Sequence, residues 1–320
     1  MIMKKGVSLP RWVTDYLGMA IVLAILLAIF GYSARNFFSL PTFKMIASQV
    51  PDITILAVGM TLVLIIGGID LSVGSVMALC GAMLGKSLIT WGVPLPLAIG
   101  ICMLTGLLCG AVNGLVTITW KLPAFIVTLG MLEIARGATF FVTGYRTVDT
   151  ATSLDFITET TIAGVPMPFV IAILIVALGQ LVLSRSVFGR YMVAIGTNEE
   201  AVRLSGIDMR PIKVTVFALC GFLAGVAAVI QTARISSANP NVGVGWELQA
   251  IAAVVIGGTS LMGGRGSVIG SFFGVLIIAV LSTGLDQIGA EEYIKRIITG
   301  AAIVAAVILD YYRNRLSAAK

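Results

Sequence analysis

Stretches of about twenty apolar residues recur along this chain with almost no charge inside them, and they limit what it can fold into. The segments run roughly 16–34, 51–67, 72–90, 95–118, 122–143, 166–184, 212–232, 248–262, 267–285 and 293–310, about ten in all. A helix needs about 20 residues to cross the hydrocarbon core of a bilayer, and a barrel strand only about 10. In lipid every backbone N–H and C=O must be satisfied within the protein, which leaves helices or a closed barrel. Runs of this length select helices. The expected fold is all-α: a polytopic transmembrane helix bundle of about ten spans, forming one membrane domain over residues 1–320, with the lipid bilayer as its solvent. No connecting loop is long enough for a separate folded unit.

Only 11% of the residues are charged and 58% are hydrophobic, whereas a soluble domain carries about a quarter charged residues. The net charge of +6 does not point to nucleic acid, because no Lys/Arg block with interleaved aromatics occurs. The chain has no His, which removes the usual zinc ligand and proton shuttle. Cys80, Cys102, Cys109 and Cys220 all lie inside apolar runs and read as small buried hydrophobes. Gly81-Ala82-Met83-Leu84-Gly85-Lys86-Ser87 is one residue short of a phosphate loop and lies in an apolar run. No metal, cofactor or catalytic group is expected, and energy for transport must come from a partner or an ion gradient. The first apolar run lacks a small-x-small cleavage site and reads as a retained span, not a signal peptide.

The basic residues set an orientation. Lys4, Lys5 and Arg11, then Arg185, Arg190, Arg203, Arg210 and Lys213, then Arg313, Arg315 and Lys320 fall in segments that the span count places on one side. The positive-inside bias makes that side, with both termini, cytoplasmic. Asp149, Asp155, Glu159, Asp286, Glu291 and Glu292 fall on the other.

Within the 185–213 segment, Thr197-Asn198-Glu199-Glu200-Ala201-Val202-Arg203-Leu204-Ser205-Gly206 reads as a short helix. Thr197 and Glu200 have capping-box spacing. Glu199 and Glu200 complement the helix dipole in the first turn, and Gly206 is placed to end the helix. So short a helix is not stable alone. It needs a surface, and it is the candidate docking element for a soluble partner.

Gly67-Gly68-Ile69-Asp70-Leu71-Ser72-Val73-Gly74 interrupts an apolar run. A carboxylate at mid-membrane costs about 2.5–3.5 kcal/mol on insertion scales, so Asp70 lies near an interface, faces a wet cavity or caps the next helix. Gly67, Gly68, Asp70, Ser72 and Gly74 are candidate residues of a discontinuous helix lining a pathway; a tight helix connection is the alternative. Gly257-Gly258-Thr259-Ser260 echoes the motif six spans later, in the same orientation. Transporter folds often contain repeated halves. Glu133 and Arg136, three apart, share a face of one predicted span and read as a charge pair. Arg234 is expected to snorkel to the outer interface. Gly106, Gly110 and Gly114, and then Gly266, Gly270 and Gly274, repeat every four residues. Each set forms a stripe for close helix packing, within the bundle or on a sliding or dimer surface.

Several blocks resemble a known family: Ala57-Val58-Gly59-Met60-Thr61-Leu62-Val63, Gly68-Ile69-Asp70-Leu71-Ser72-Val73-Gly74-Ser75, Leu204-Ser205-Gly206-Ile207, Ala233-Arg234-Ile235-Ser236-Ser237-Ala238, and Glu247-Leu248-Gln249-Ala250-Ile251-Ala252-Ala253-Val254-Val255-Ile256-Gly257-Gly258-Thr259-Ser260-Leu261. Across nearly its whole length the chain resembles permease subunits of bacterial sugar-importing ABC transporters of the ribose type. The resemblance implies an inner-membrane permease that pairs with a second copy or a paralogue. It also implies two cytoplasmic ATPase subunits and a periplasmic sugar-binding protein as partners. A cytoplasmic coupling helix would dock in the ATPase. Its general signature, Glu-Ala-Ala, three residues, then Gly, is met by Glu200, Ala201 and Gly206, with Val202 in place of the second Ala. The usual Ile-x-Leu-Pro continuation is replaced by Met209-Arg210-Pro211. Ribose, another pentose, a hexose or a polyol all stay open as the cargo. An ion-gradient-driven secondary transporter of a small polar solute is the alternative; it calls for membrane carboxylates in pairs or chains, and Asp70 and Glu133 are too few to make one.

Overall fold

A computed structural model of the chain describes residues 11–291, 293–302, 304, 305 and 308. Lys4, Lys5, Glu292, Arg313, Arg315 and Lys320 lie outside the described residues, and the last expected span, 293–310, is described only in part. In chain order the helices are α1 (Arg11–Ser33), α2 (Leu40–Ile65), α3 (Val73–Ile89), α4 (Leu95–Thr119), α5 (Ala124–Thr143), α6 (Asp155–Glu159), α7 (Met167–Arg185), α8 (Val187–Thr197), α9 (Glu199–Leu204), α10 (Arg210–Ile235), α11 (Trp246–Ile256) and α12 (Val268–Gln287). Among the described residues four two-residue strands form two antiparallel ribbons: β1 (Val148–Asp149) with β4 (Ser237–Ala238), and β2 (Thr161–Ile162) with β3 (Val165–Pro166).

The fold is an all-α membrane helix bundle. Among the described residues seven helices, α1, α2, α4, α5, α7, α10 and α12, are long and apolar enough to cross a membrane. Proline in the first turn starts α2, α4, α7 and α10, where its missing N–H costs nothing. Ser39, Ser186 and Ser267 cap α2, α8 and α12 through the N–H groups of Thr42, Gly189 and Gly270.

Three of the about ten expected spans are not among these seven: 72–90 is the seventeen-residue α3, 248–262 is shorter still, and 293–310 is described only in part. The 51–67 span is the second part of a longer helix that begins at Leu40. The 248–262 span is instead an eleven-residue helix, α11, because Gly258 takes φ +83° and ends it.

At the centre α10 packs against α4, α2 and α3. The glycine stripe of α4 makes this approach possible. A Cβ on Gly106 would overlap the carbonyl oxygen of Gly221, and one on Gly110 that of Phe217. A Cβ on Gly114 would come within 2.9 Å of the Val214 Cα. Gly270 and Gly274 sit on α12 against the carbonyls of Gly257 and Ala253 on the α11 side. Gly266, expected on the same helix stripe, lies before the Ser267 cap in the turn that precedes α12.

The bundle has two distinguishable ends. One gathers the end of α2, helices α8 and α9, and the turn before α12. There the Gly264 N–H donates to the Ile65 carbonyl at 2.9 Å, and Gly196 lies directly against that carbonyl. This is the Thr197 end. The opposite end carries the β1–β4 ribbon, with Val148 facing Ala238.

Candidate functional site

The echoed glycine motifs form the same structure. At the end of α2, the Gly68 N–H donates to Val63 O at 3.0 Å and the Gly67 N–H to Leu64 O at 2.9 Å. At the end of α11, the Thr259 N–H donates to Val254 O at 3.1 Å and the Gly258 N–H to Val255 O at 2.8 Å. Both are Schellman caps, with Gly67 at φ +77° and Gly258 at φ +83° in the left-handed position. Gly263 touches Gly67, so the two caps lie at the same end of the bundle. Thr259 and Ser260 are buried and brace the turn into α12. The Ser267 N–H donates to Thr259 Oγ1 at 3.4 Å, and the Ser260 N–H to Arg265 O at 3.0 Å.

After Gly68 the chain turns back into the bundle. Asp70 is 2% exposed, and its Oδ1 accepts from the Ser72 N–H at 2.9 Å and the Ser72 hydroxyl at 2.6 Å. Asn113 Nδ2 donates to Ser72 Oγ at 3.0 Å. Thr128 links the Leu71 N–H to the Ile69 carbonyl, both at 3.1 Å. Asn113 lies six residues before the end of α4, about 9 Å into the bundle at 1.5 Å per residue. Asp70 therefore binds the start of α3 from inside the protein.

A second non-helical segment enters from the other end. After β4 the chain dips to Gly243, whose backbone meets that of Gly74 at the start of α3. Irregular backbone at membrane depth needs donors for its carbonyls. Arg136 supplies them, with Nη1 donating to Pro240 O at 2.7 Å and Val242 O at 2.9 Å. This corrects the Glu133–Arg136 pair. Among the described residues no ion pair joins the two, and Glu133 faces outward from α5. α3 and α11 thus both begin inside the bundle, with a Cβ at Gly74 also meeting Glu247 in the first turn of α11.

Sequence reasoning missed Asp52. It is fully buried, and its Oδ2 pairs with Arg234 Nη2 at 2.8 Å. Arg234 also bonds Gln231 Oε1, so it is held inside the bundle instead of snorkelling. A charged residue beside Pro51 within an apolar run was the available signal.

At the Thr197 end, α9 is capped by Asn198, whose Oδ1 accepts from the Ala201 N–H at 3.0 Å. Thr197 was the expected cap; it closes α8 instead, donating its hydroxyl to Val193 O at 2.7 Å. α8 continues through Thr197, so the first extended residue before α9 is Asn198, and the cap falls there. Gly206 follows the helix at φ +78°. Arg203 pairs with Glu200 at 2.5 Å and Lys213 with Glu199 at 2.7 Å. The exposed Glu200 carboxylate holds the Arg203 guanidinium above its ordinary pKa through hydrogen bonding and charge. Val202 anchors the helix, while Ala201 and Leu204 face outward, Leu204 at 77% exposure. A cavity of about 370 Å³ lies beneath, lined by Gly67, Gly68, Gly196, Thr197, Glu199 and Lys213. It brings the expected pathway glycines and the expected docking residues to one place. Helix α8 was not anticipated. Among the described residues no cluster of three or more His, Cys, Asp or Glu could hold a metal, and all four cysteines are free thiols.

A bundle of apolar crossing helices, with two helices that begin inside it and a charged helix across one end, defines a multi-pass membrane permease. The chain belongs to the family described as branched-chain amino acid transport system / permease component, which it matches over residues 42–307. It is 42% identical over 297 residues to the ribose import permease protein of Haemophilus influenzae, covering 91% of this chain and 92% of that protein. It is 37% identical to a probable ABC transporter permease protein of Escherichia coli, over 96% and 93% of the two chains. It is 36% identical to the fructose import permease protein of Rhizobium meliloti, over 93% and 86%. No solved structure matches the chain.

Proposed function

We propose that this chain is the membrane-spanning permease subunit of an ATP-binding-cassette importer that moves a monosaccharide, ribose or a related simple sugar, into the cytoplasm. The observation that carries the reading is its likeness to ribose and fructose import permeases over about nine-tenths of its length. Residues 1–320 act as one permease domain in the inner membrane. The chain crosses ten times: nine through α1, α2, α3, α4, α5, α7, α10, α11 with its re-entrant lead, and α12, and once more through the 293–310 segment. Both termini and the Thr197 end then face the cytoplasm.

In this reading α9 is the coupling helix. The outward placement of Glu200, Ala201, Arg203 and Leu204 supports docking into a cytoplasmic ATPase, which supplies the hydrolysis. A periplasmic sugar-binding protein delivers cargo to the opposite end, and a second permease copy, identical or paralogous, completes the pore. Gly67, Gly68, Asp70, Ser72 and Gly74 build one discontinuous wall of the route, and Gly257, Gly258, Thr259 and Ser260 support its inner end. The test is uptake of labelled ribose into proteoliposomes. Uptake must require ATP, the ATPase subunit and the binding protein. Uptake by this chain alone, driven by a proton or sodium gradient, would overturn the reading.

A further inference from the structure

A second cavity, of about 310 Å³, lies between α2, α10, α11 and α12. It sits between the middle of the bundle and the end remote from Thr197. Gln49 on its wall is sixteen residues before Ile65 in α2, about 24 Å along the helix. We infer that this cavity is a binding station for one uncharged monosaccharide within a single permease copy. The inference rests on the reading of the chain as a sugar permease, and it adds a place where the sugar is held.

Three features select that ligand. First, the exposed side chains of Gln49 and Gln249 border the cavity from α2 and α11, and no hydrogen bond within the described residues occupies either amide. Each amide offers both a donor and an acceptor, the pairing a sugar hydroxyl requires. Second, Trp246 lines the same space. Its ring gives the C–H face of a pyranose or furanose a flat apolar partner, and its N–H is a further donor. Third, the one charged residue on the wall, Arg234, is neutralised by Asp52 at 2.8 Å. The cavity therefore presents no net charge to attract an anion or repel a neutral solute. Its volume falls at the lower end of small-molecule pockets, about 300–1,000 Å³. That suits a single sugar and is too small for an oligosaccharide.

The test uses the full chain in nanodiscs with Trp12, Trp91 and Trp120 each replaced by Phe, so that Trp246 is the sole tryptophan. D-Ribose is the probe. The expected result is a saturable shift in Trp246 emission, with affinity falling about tenfold in Gln49→Leu/Gln249→Leu. A Gln49→Asn/Gln249→Asn protein, which retains both amides, should keep most of the affinity. Equal melting temperatures for the three proteins separate lost binding from lost folding. No saturable shift, or a shift untouched by the leucine pair, overturns the station. Quenching of Trp246 by brominated lipid that ribose does not relieve also overturns it, because the cavity would then hold an acyl chain. If any of these results accompanies intact ATP-driven ribose uptake by the assembled importer, the station fails while the transport function stands. If uptake itself fails, the function reading is at fault.

Discussion

Asp52 and Arg234 stand 182 residues apart in the chain and meet at 2.8 Å inside the bundle. The pair ties α2 to the end of α10. Asp52 is wholly buried while Arg234 keeps about a quarter of its side-chain surface, so removing one partner strands a charge that lipid cannot solvate. Arg234→Met is expected to lower stability by about 3 kcal/mol, the low end for breaking a buried pair. Asp52→Leu/Arg234→Met should recover most of that loss. Thermal unfolding in detergent checks both. Equal melting of the single and double variants would show that a stranded Asp52 carries no penalty, and the idea would fail.

Gly110 and Gly100 lie on the same helix and predict opposite outcomes. A methyl group at Gly110 would overlap the Phe217 carbonyl, whereas nothing lies within 4 Å of one at Gly100. Gly110→Ala should cost about 1–3 kcal/mol by overpacking, and Gly100→Ala should cost nothing. The comparison is read from melting of the two variants side by side.

Arg136 supports the carbonyls of Pro240 and Val242. Arg136→Leu leaves both without a donor, and hydrogen bonds to a charged group contribute about 1.5–3 kcal/mol. Amide exchange across 239–245 should speed up in that variant. Arg136→Lys should give a smaller effect, since an ammonium keeps the charge but loses the planar fork.

Asn198→Ala removes the cap of α9 at a cost of about 1 kcal/mol, seen as faster exchange at 199–204. Thr197→Ala should leave those amides unchanged, because Thr197 bonds within α8. If the two variants behaved alike, the assignment of the cap would be wrong.

Glu200→Arg/Arg203→Glu keeps an ion pair at the same spacing. An exposed pair of this kind is screened by water and contributes little to stability, so insertion and melting should hold. Transport coupled to the partner ATPase should fall sharply while ATP turnover continues. Normal uptake by this variant would remove α9 from the docking surface.

The bundle was legible because apolar run length and proline placement act locally. The helix ends at Gly67 and Gly206 were legible for the same reason, each being set by one glycine and the residues just before it, whereas the expected 248–262 span ran past the cap at Gly258. Pairings that depend on depth were not legible. Nothing in Asn239-Pro240-Asn241 marks it as a segment that dips into the protein, and so Arg136 was given the wrong partner. Asp52 and Arg234 are joined only by the packing of α2 on α10. Helix α8 mixes apolar residues with Gly189 and Gly196, which disguised it as loop. Both glycines are required by carbonyls that press against them, those of Leu183 and Ile65.

That last contact has a mechanical meaning. Gly196 backs onto the Ile65 carbonyl with no side chain between them, and Gly264 is bonded to the same oxygen. Main chain therefore meets main chain from α8 to the foot of α2 and the turn ahead of α12, with no side chain in between. A joint made this way does not depend on which side chains surround it, but any substitution that adds a Cβ at Gly196 would wedge it open.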